Sequence, residues 1–247
     1  MNVLIIGGTM FIGLKTSWGL KGKLTDKDAR KLARELTRLC LVVCHSPLYQ
    51  SEHKESLAQD WVRIPVPKSR NLFEEIVKAG DLLAVLPNPV ANVTRALKEV
   101  LGDDAKDLAV PGTLSGGHVG QTDLLVEFSF FGAAQGGWRP RAVAPGEPMH
   151  AEWGTTTGDL NINSTAFFRH VPEHVWKYEL GGYPVIKKWL GYRDRGRRPG
   201  VLLSIQEVSH LRGMVQRLAA VLRLQPTLDN LYERVCEDCF SAEEFGL

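Results

Sequence analysis

Cysteine is scarce in this chain, and the four present sit at positions 40, 44, 236 and 239 of 247. Structural zinc draws on two close pairs about a dozen to twenty residues apart. Here the pairs lie almost the whole chain apart, so no metal site is expected. Cys40 and Cys44 fall one helical turn apart on an apolar face, as core thiols do in a reducing cytosol. Cys236-Glu237-Asp238-Cys239 lacks the strand-then-helix context of a redox motif. Long apolar runs are lacking too. Val3 to Gly8 is far shorter than the roughly 20 residues of a membrane span, and no basic region precedes it as in a secretory signal. A cytoplasmic protein with no membrane partner is expected. Net charge is only +2, which excludes a uniformly basic chain and leaves the distribution of charge to carry any argument about partners. With 44% hydrophobic and 23% charged residues, the chain has enough material for one large domain or two small ones.

The charge is segregated. Arg169 to Arg223 holds eleven Lys and Arg against four Asp and Glu, a balance of +7, whereas Leu224 to Leu247 holds six acids and one Arg, a balance of −5. Overlapping the basic stretch, NSTAFFRHVPEHVWKYELGGYPVIKKWLGY (Asn163–Tyr192) carries two Phe, two Trp and three Tyr. That density reads as a recognition surface rather than core or linker, with flat faces for stacking and cations for phosphate. RDRGRRPG (Arg193–Gly200) continues it; the plainer alternative is a solvated basic loop. Upstream, Arg63, Lys68 and Arg70 bracket the prolines of WVRIPVPKSR. The fixed proline backbone favours a short extended segment, either a rigid phosphate grip or a connector with exposed charges.

The string VPEHVWKYELGGYPVIKKWLGYRDR resembles the C-terminal specificity region of type ISP restriction-modification enzymes, the single-chain DNA helicase-methyltransferases. HSPLYQSEHKESLAQDWVRIPVPKSRNLFEEI (His45–Ile76) is similar to the segment where those enzymes pass from methyltransferase to target-recognition domain. Together with the helical tail, the resemblance covers roughly residues 38 to 235 and leaves 1 to 37 outside. It implies double-stranded DNA as a partner, along with the methyltransferase and translocase domains of the same enzyme. It also implies that S-adenosylmethionine and ATP are used elsewhere in such enzymes, with no cofactor and no catalytic residue in this chain. In agreement, no G-x-x-x-x-G-K-[ST] loop is present to cradle ATP, and no Asn-Pro-Pro-Tyr or Asp-Pro-Pro-Tyr to hold a flipped adenine. The resemblance suggests a fragment of an adenine-N6 DNA methyltransferase and restriction enzyme.

The opening MNVLIIGGTMFIGL competes with that reading. A strand followed by Gly7, Gly8 and Gly13 resembles the start of a Rossmann-type NAD(P)-dependent reductase or epimerase, where glycines admit a pyrophosphate. The following residues do not fit. Leu14 to Leu24 contains Gly19 and Gly22 rather than a long amphipathic helix, and the second strand ending in an acid is missing. Tyr183 and Lys187 have the Tyr-x-x-x-Lys spacing of such reductases, but Pro184 puts Tyr183 at or before a helix start, so the two need not share a face. A protein-interaction module using the aromatic patch is a further alternative.

Periodicity predicts a helix from Thr25 to His45, capped by Thr25 with Asp28 and apolar at Leu32, Leu36, Leu39 and Val43. A second helix starts after Ser69, with Leu72, Phe73, Ile76 and Val77 in its stripe, and ends near Leu86 before Pro87 and Pro89. A third centres on Val93 to Val100. Strands are predicted at Thr122–Phe130 and Trp138–Val143, and a helix through Val175–Leu190 interrupted at Gly181-Gly182. A long helix begins at a Ser204/Glu207 capping box, with Val208, Leu211, Val215, Leu218 and Leu222 on one face and Arg212, Arg217 and Arg223 on the other.

The expected fold is therefore α+β, a mixed helical domain with a small antiparallel sheet, like a target-recognition domain. Residues 1–45 would be an N-terminal strand and helix, either the end of a methyltransferase domain or an atypical start. Residues 46–235 would form the DNA-specificity domain and 236–247 an acidic tail. The expected DNA-contacting set is Arg63, Lys68, Arg70, Lys177, Tyr178, Tyr183, Lys187, Lys188, Arg193, Arg195, Arg197 and Arg198. Cations would hold the backbone, and one or two of Tyr178, Tyr183 and Arg193 would reach base edges.

Overall fold

The structure, a computed structural model, describes residues 18, 25–59, 62–117, 119–127, 137–147, 156–197, 199, 201–241 and 243–245. The Gly7, Gly8 and Gly13 segment and Arg198 lie outside the described residues. Two compact units divide the chain: residues 1–91 with 223–247, and residues 92–222.

In the first unit, α1 (Asp26–His45) starts as its sequence predicts. The Thr25 side chain accepts from the Asp28 amide while Asp28 accepts from the Thr25 amide, closing a capping box,. Leu32, Leu36, Leu39 and Val43 are buried. Ser46 ends this helix and caps the next, α2 (Pro47–Glu52), with Pro47 in its first turn where no donor is lost,. A short α3 (Lys54–Gln59) follows. Residues 62–66 are without regular structure, and Pro67 bridges Cys239; the prolines prevent a helix here. The next helix, α4 (Arg70–Val85), is capped by Ser69 and buries Leu72, Phe73 and Ile76. It packs on α1 at Gly80, where an added Cβ would lie 2.5 Å from Arg38 Cβ.

The second unit begins with α5 (Thr94–Leu101) and then builds a four-stranded antiparallel sheet in the order β1-β4-β3-β2. Its strands are β1 (Val110–Thr113), β2 (Gly137–Ala142), β3 (Thr156–Asn161) and β4 (Ala166–Arg169). The predicted Trp138–Val143 strand is β2. Thr122–Phe130 is not a strand as far as it is described: Gln121–Leu124 forms a 3-10 turn, and Leu125 makes one isolated bridge to Leu202. Its apolar residues serve the core instead, with Leu124 and Val126 buried. Asn163 holds the turn before β4. Its Nδ2 donates to the Asp123 and Leu125 carbonyls at 2.7 and 2.8 Å, and its Oδ1 accepts from the Ala166 amide at 2.7 Å.

After β4 come α6 (Glu173–Trp176), a hairpin of β5 (Glu179–Leu180) and β6 (Tyr183–Pro184), and α7 (Val185–Gly191). The single interrupted helix expected over Val175–Leu190 is thus two helices separated by a hairpin. Gly181 and Gly182 both have positive φ, 56° and 78°, the signature of a type I′ turn, which matches strand twist and which glycine enters without steric cost. The last long helix, α8 (Ile205–Glu237), starts at the predicted capping box: Ser204 Oγ accepts from the Glu207 amide and Glu207 accepts from Ser204. Residues 205–222 of it belong to the second unit and 223–237 to the first.

Candidate nucleic-acid interface

The aromatic-rich segment divides into a buried half and an exposed half. Phe167 and Phe168 lie in β4 and Trp176 in α6, all buried, so these rings are core. Strand alternation cannot reveal this, because β4 is buried on both faces. Burying each ring is worth about 1.5–3 kcal/mol. The exposed half is the hairpin and the two ends of α7: Leu180 is 68% exposed, Tyr183 62% and Tyr192 56%. Leu180 lies opposite Tyr183 in the hairpin register, an exposed apolar residue that the sequence reading passed over.

Each cation has a distinct setting. Lys187 Nζ lies 5.1 Å from the Trp176 ring, Lys188 Nζ 4.9 Å from Tyr183, and the Arg197 guanidinium 5.7 Å from Tyr192. None of these three has a carboxylate partner among the described residues. By contrast, Lys177 pairs with Glu173 at 2.7 Å and Arg195 with Glu127 at 2.8 Å. Arg193 pairs with Glu207 at 2.7 Å, donates to the Trp189 carbonyl at 3.1 Å and stacks 3.7 Å over the Trp189 ring. Trp189 in turn stacks on His210, centroids 5.7 Å apart. The Tyr178 ring is half-buried, which pushes its phenol above its usual range. Its carbonyl accepts from the Val185 amide at 3.1 Å and closes the base of the hairpin.

The three remaining expected residues belong to the first unit. Lys68 pairs with Glu244 at 3.0 Å. Arg70 pairs with Glu74 at 3.1 Å and Glu35 at 3.5 Å, and covers the Trp18 and Phe73 rings. Arg63 accepts from the Tyr49 hydroxyl through its carbonyl. The set expected from sequence is thus divided between the two units, with Arg63, Lys68 and Arg70 in the first and the described members from Lys177 to Arg197 in the second.

A charged cluster on the sheet was not foreseen from the sequence. Arg141 donates to Glu147 at 2.6 Å and to Asp159 at 2.8 Å, with Arg169 3.5 Å from Glu147. His170, in the left-handed region at φ 57°, is buried nearby, and burial lowers its pKa. The hydrogen bond from Arg141 holds the Glu147 carboxyl below its usual range. No motif spacing announces this cluster, because its members come from three separate segments.

The Tyr-x-x-x-Lys pair does not form a reductase dyad. Tyr183 is in β6, Lys187 is in α7, and it is Lys188 that lies against the Tyr183 ring. Among the described residues no His, Cys, Asp and Glu are grouped to hold a metal. None of the four cysteines is in a disulfide, and burial raises the Cys40 thiol to about 11. Among the described residues no helix is long and apolar enough to cross a membrane.

These elements make a mixed α+β fold with a small antiparallel sheet, in which a hairpin and a helix carry Lys188 and Arg197 against exposed tyrosines. The chain belongs to the family of the Type ISP C-terminal specificity domain, whose model matches residues 21–204. A target-recognition role in a type ISP restriction-modification enzyme follows from that membership. The match begins well before residue 38, where the resemblance was expected to start, so α1 lies inside it. It ends at Ser204, the cap of α8, rather than near residue 235. No curated protein and no solved structure matches the chain.

Proposed function

We propose that this chain reads a specific sequence in double-stranded DNA for an adenine-N6 methyltransferase and restriction enzyme. Catalysis, S-adenosylmethionine and ATP would belong to other domains of that enzyme. The observation carrying the proposal is that Lys187, Lys188 and Arg197 have no carboxylate partner among the described residues and lie against aromatic rings, two of them exposed tyrosines. A cation held on a ring keeps its full charge and has already lost part of its rotamer freedom, so capturing a phosphate costs less ordering. Lys177, Arg193 and Arg195 are compensated by their own carboxylates and would contribute to DNA only by exchanging partners. The strongest members of the expected set are therefore Tyr183, Lys187, Lys188 and Arg197, with Tyr192 added.

Fluorescence anisotropy of the chain with a mixed-sequence duplex across a salt series tests the reading. Affinity should fall steeply with salt, and K187A/K188A should reduce the slope of log K against log salt by about 2. An unchanged slope removes both lysines from the interface. Affinity that survives high salt would instead favour a protein partner on the apolar patch.

A further inference from the structure

Leu180 and Tyr183 face each other across the last rung of the hairpin, and both are more than half exposed. Single exposed apolar residues are ordinary, but these two lie side by side next to cations that have no carboxylate partner among the described residues, which makes them available to a second surface,. The turn is tight, with both glycines at positive φ, and the Val185 amide to Tyr178 carbonyl bond closes the base. Trp176 and Ile186, just outside the hairpin on either side, are buried and anchor it. Lys187 Nζ lies against the Trp176 ring below the hairpin and Lys188 Nζ against the Tyr183 ring itself, neither with a carboxylate partner among the described residues. An apolar tip with cations beside it has the chemistry of a side-chain wedge: the apolar pair enters between bases while the cations hold the flanking phosphates.

We propose that the β5–β6 hairpin inserts Leu180 and Tyr183 at a base step of duplex DNA and unstacks it, so that part of the specificity comes from the deformability of that step. The proposal rests on the DNA reading above. An ordinary protein partner would cover the same apolar pair without needing two uncompensated lysines beside it. Deforming a step is easiest where pairing is already weakened, which gives a test that needs no knowledge of the target sequence.

Anisotropy is measured for the full chain with two 20-bp duplexes identical except for one central T·T mismatch. The wild type should bind the mismatched duplex on the order of tenfold more tightly. L180A/Y183A should bind the two duplexes alike, and Y183F, which keeps the ring, should retain the preference. Equal binding of both duplexes by the wild type overturns the wedge and leaves the DNA reading standing. So does a preference that survives in L180A/Y183A. Loss of all binding by that variant, with its circular dichroism melt unchanged, also overturns the wedge, because a wedge adds to a complex held by phosphate contacts rather than creating it. Binding of neither duplex by the wild type at low salt removes the DNA reading, and the wedge with it.

Discussion

Glu147 shows how much one residue can organise. Arg141 donates to it, Arg169 and His170 lie within reach, and its carboxylate also accepts from the Ala144 amide at 2.8 Å. Because these contacts hold its folded pKa down, the stability they give is present above the unfolded carboxylate value and is lost as pH falls through the lower folded value. E147Q should therefore be about 1–2 kcal/mol less stable than the wild type at pH 7. The gap should close toward pH 3, as read by urea unfolding at both pH values. A constant gap would mean that the carboxylate charge contributes nothing. At this scale the sequence was partly legible. Thr25, Ser69, Ser204 and Glu207 announced their caps, because capping is local and its spacing is fixed. Arg141 and Asp159 could not be paired in advance, because strand register, not chain distance, brings them together, and Glu147 joins them from the loop that follows β2,.

Among the elements, the fit between α1 and α4 depends on Gly80, whose missing Cβ leaves room for the Arg38 backbone; an added Cβ would sit 2.7 Å from the Arg38 carbonyl oxygen. Backbone cannot swing away as a side-chain tip can, so G80A should separate the two helices and cost about 1–3 kcal/mol in chemical denaturation. A variant as stable as the wild type would show that the interface can relax. The helices were legible from periodicity, since α1, α4 and the start of α8 bury one stripe each. The sheet was less so. β4 reads Ala-Phe-Phe-Arg with three consecutive buried positions, giving no alternation to detect, and its phenylalanines were therefore taken for exposed stacking faces. The hairpin was concealed differently: strands of two residues carry no period, and only the Gly-Gly pair between an apolar residue and a Tyr pointed to it.

For the whole molecule, the basic and acidic stretches meet at residue 223, which is also where α8 passes from the second unit's residues to the first's. Leu211, Val215 and Ala219 are buried in the second unit, and Leu228, Tyr232 and Val235 in the first. In the first unit, Asp229 accepts from the Leu48 amide at 3.0 Å and from Ser46 Oγ. Residues 21–204, the span of the family match, omit this helix altogether. A protein cut after Ser204 should therefore lose its cooperative thermal transition in circular dichroism, since both units lose core side chains. A sharp transition would show that each unit holds without α8. The α+β class was readable from the sequence because helical stripes and one aromatic strand sufficed. The division was not: the prolines before residue 91 read only as a helix stop, and at 222 the boundary falls inside the continuous helix α8.

The hairpin also bears on how this protein changes over generations. Its five exposed residues, Glu179 to Tyr183, are held from below by buried Trp176 and Ile186, so substitutions at Glu179, Leu180 and Tyr183 leave the hydrophobic interior untouched. A lineage under pressure to escape a countermeasure, or to acquire a new preference, can vary those side chains while the folded state keeps its margin. The two glycines do not share that freedom, because their backbone angles define the shape on which every such variant is displayed.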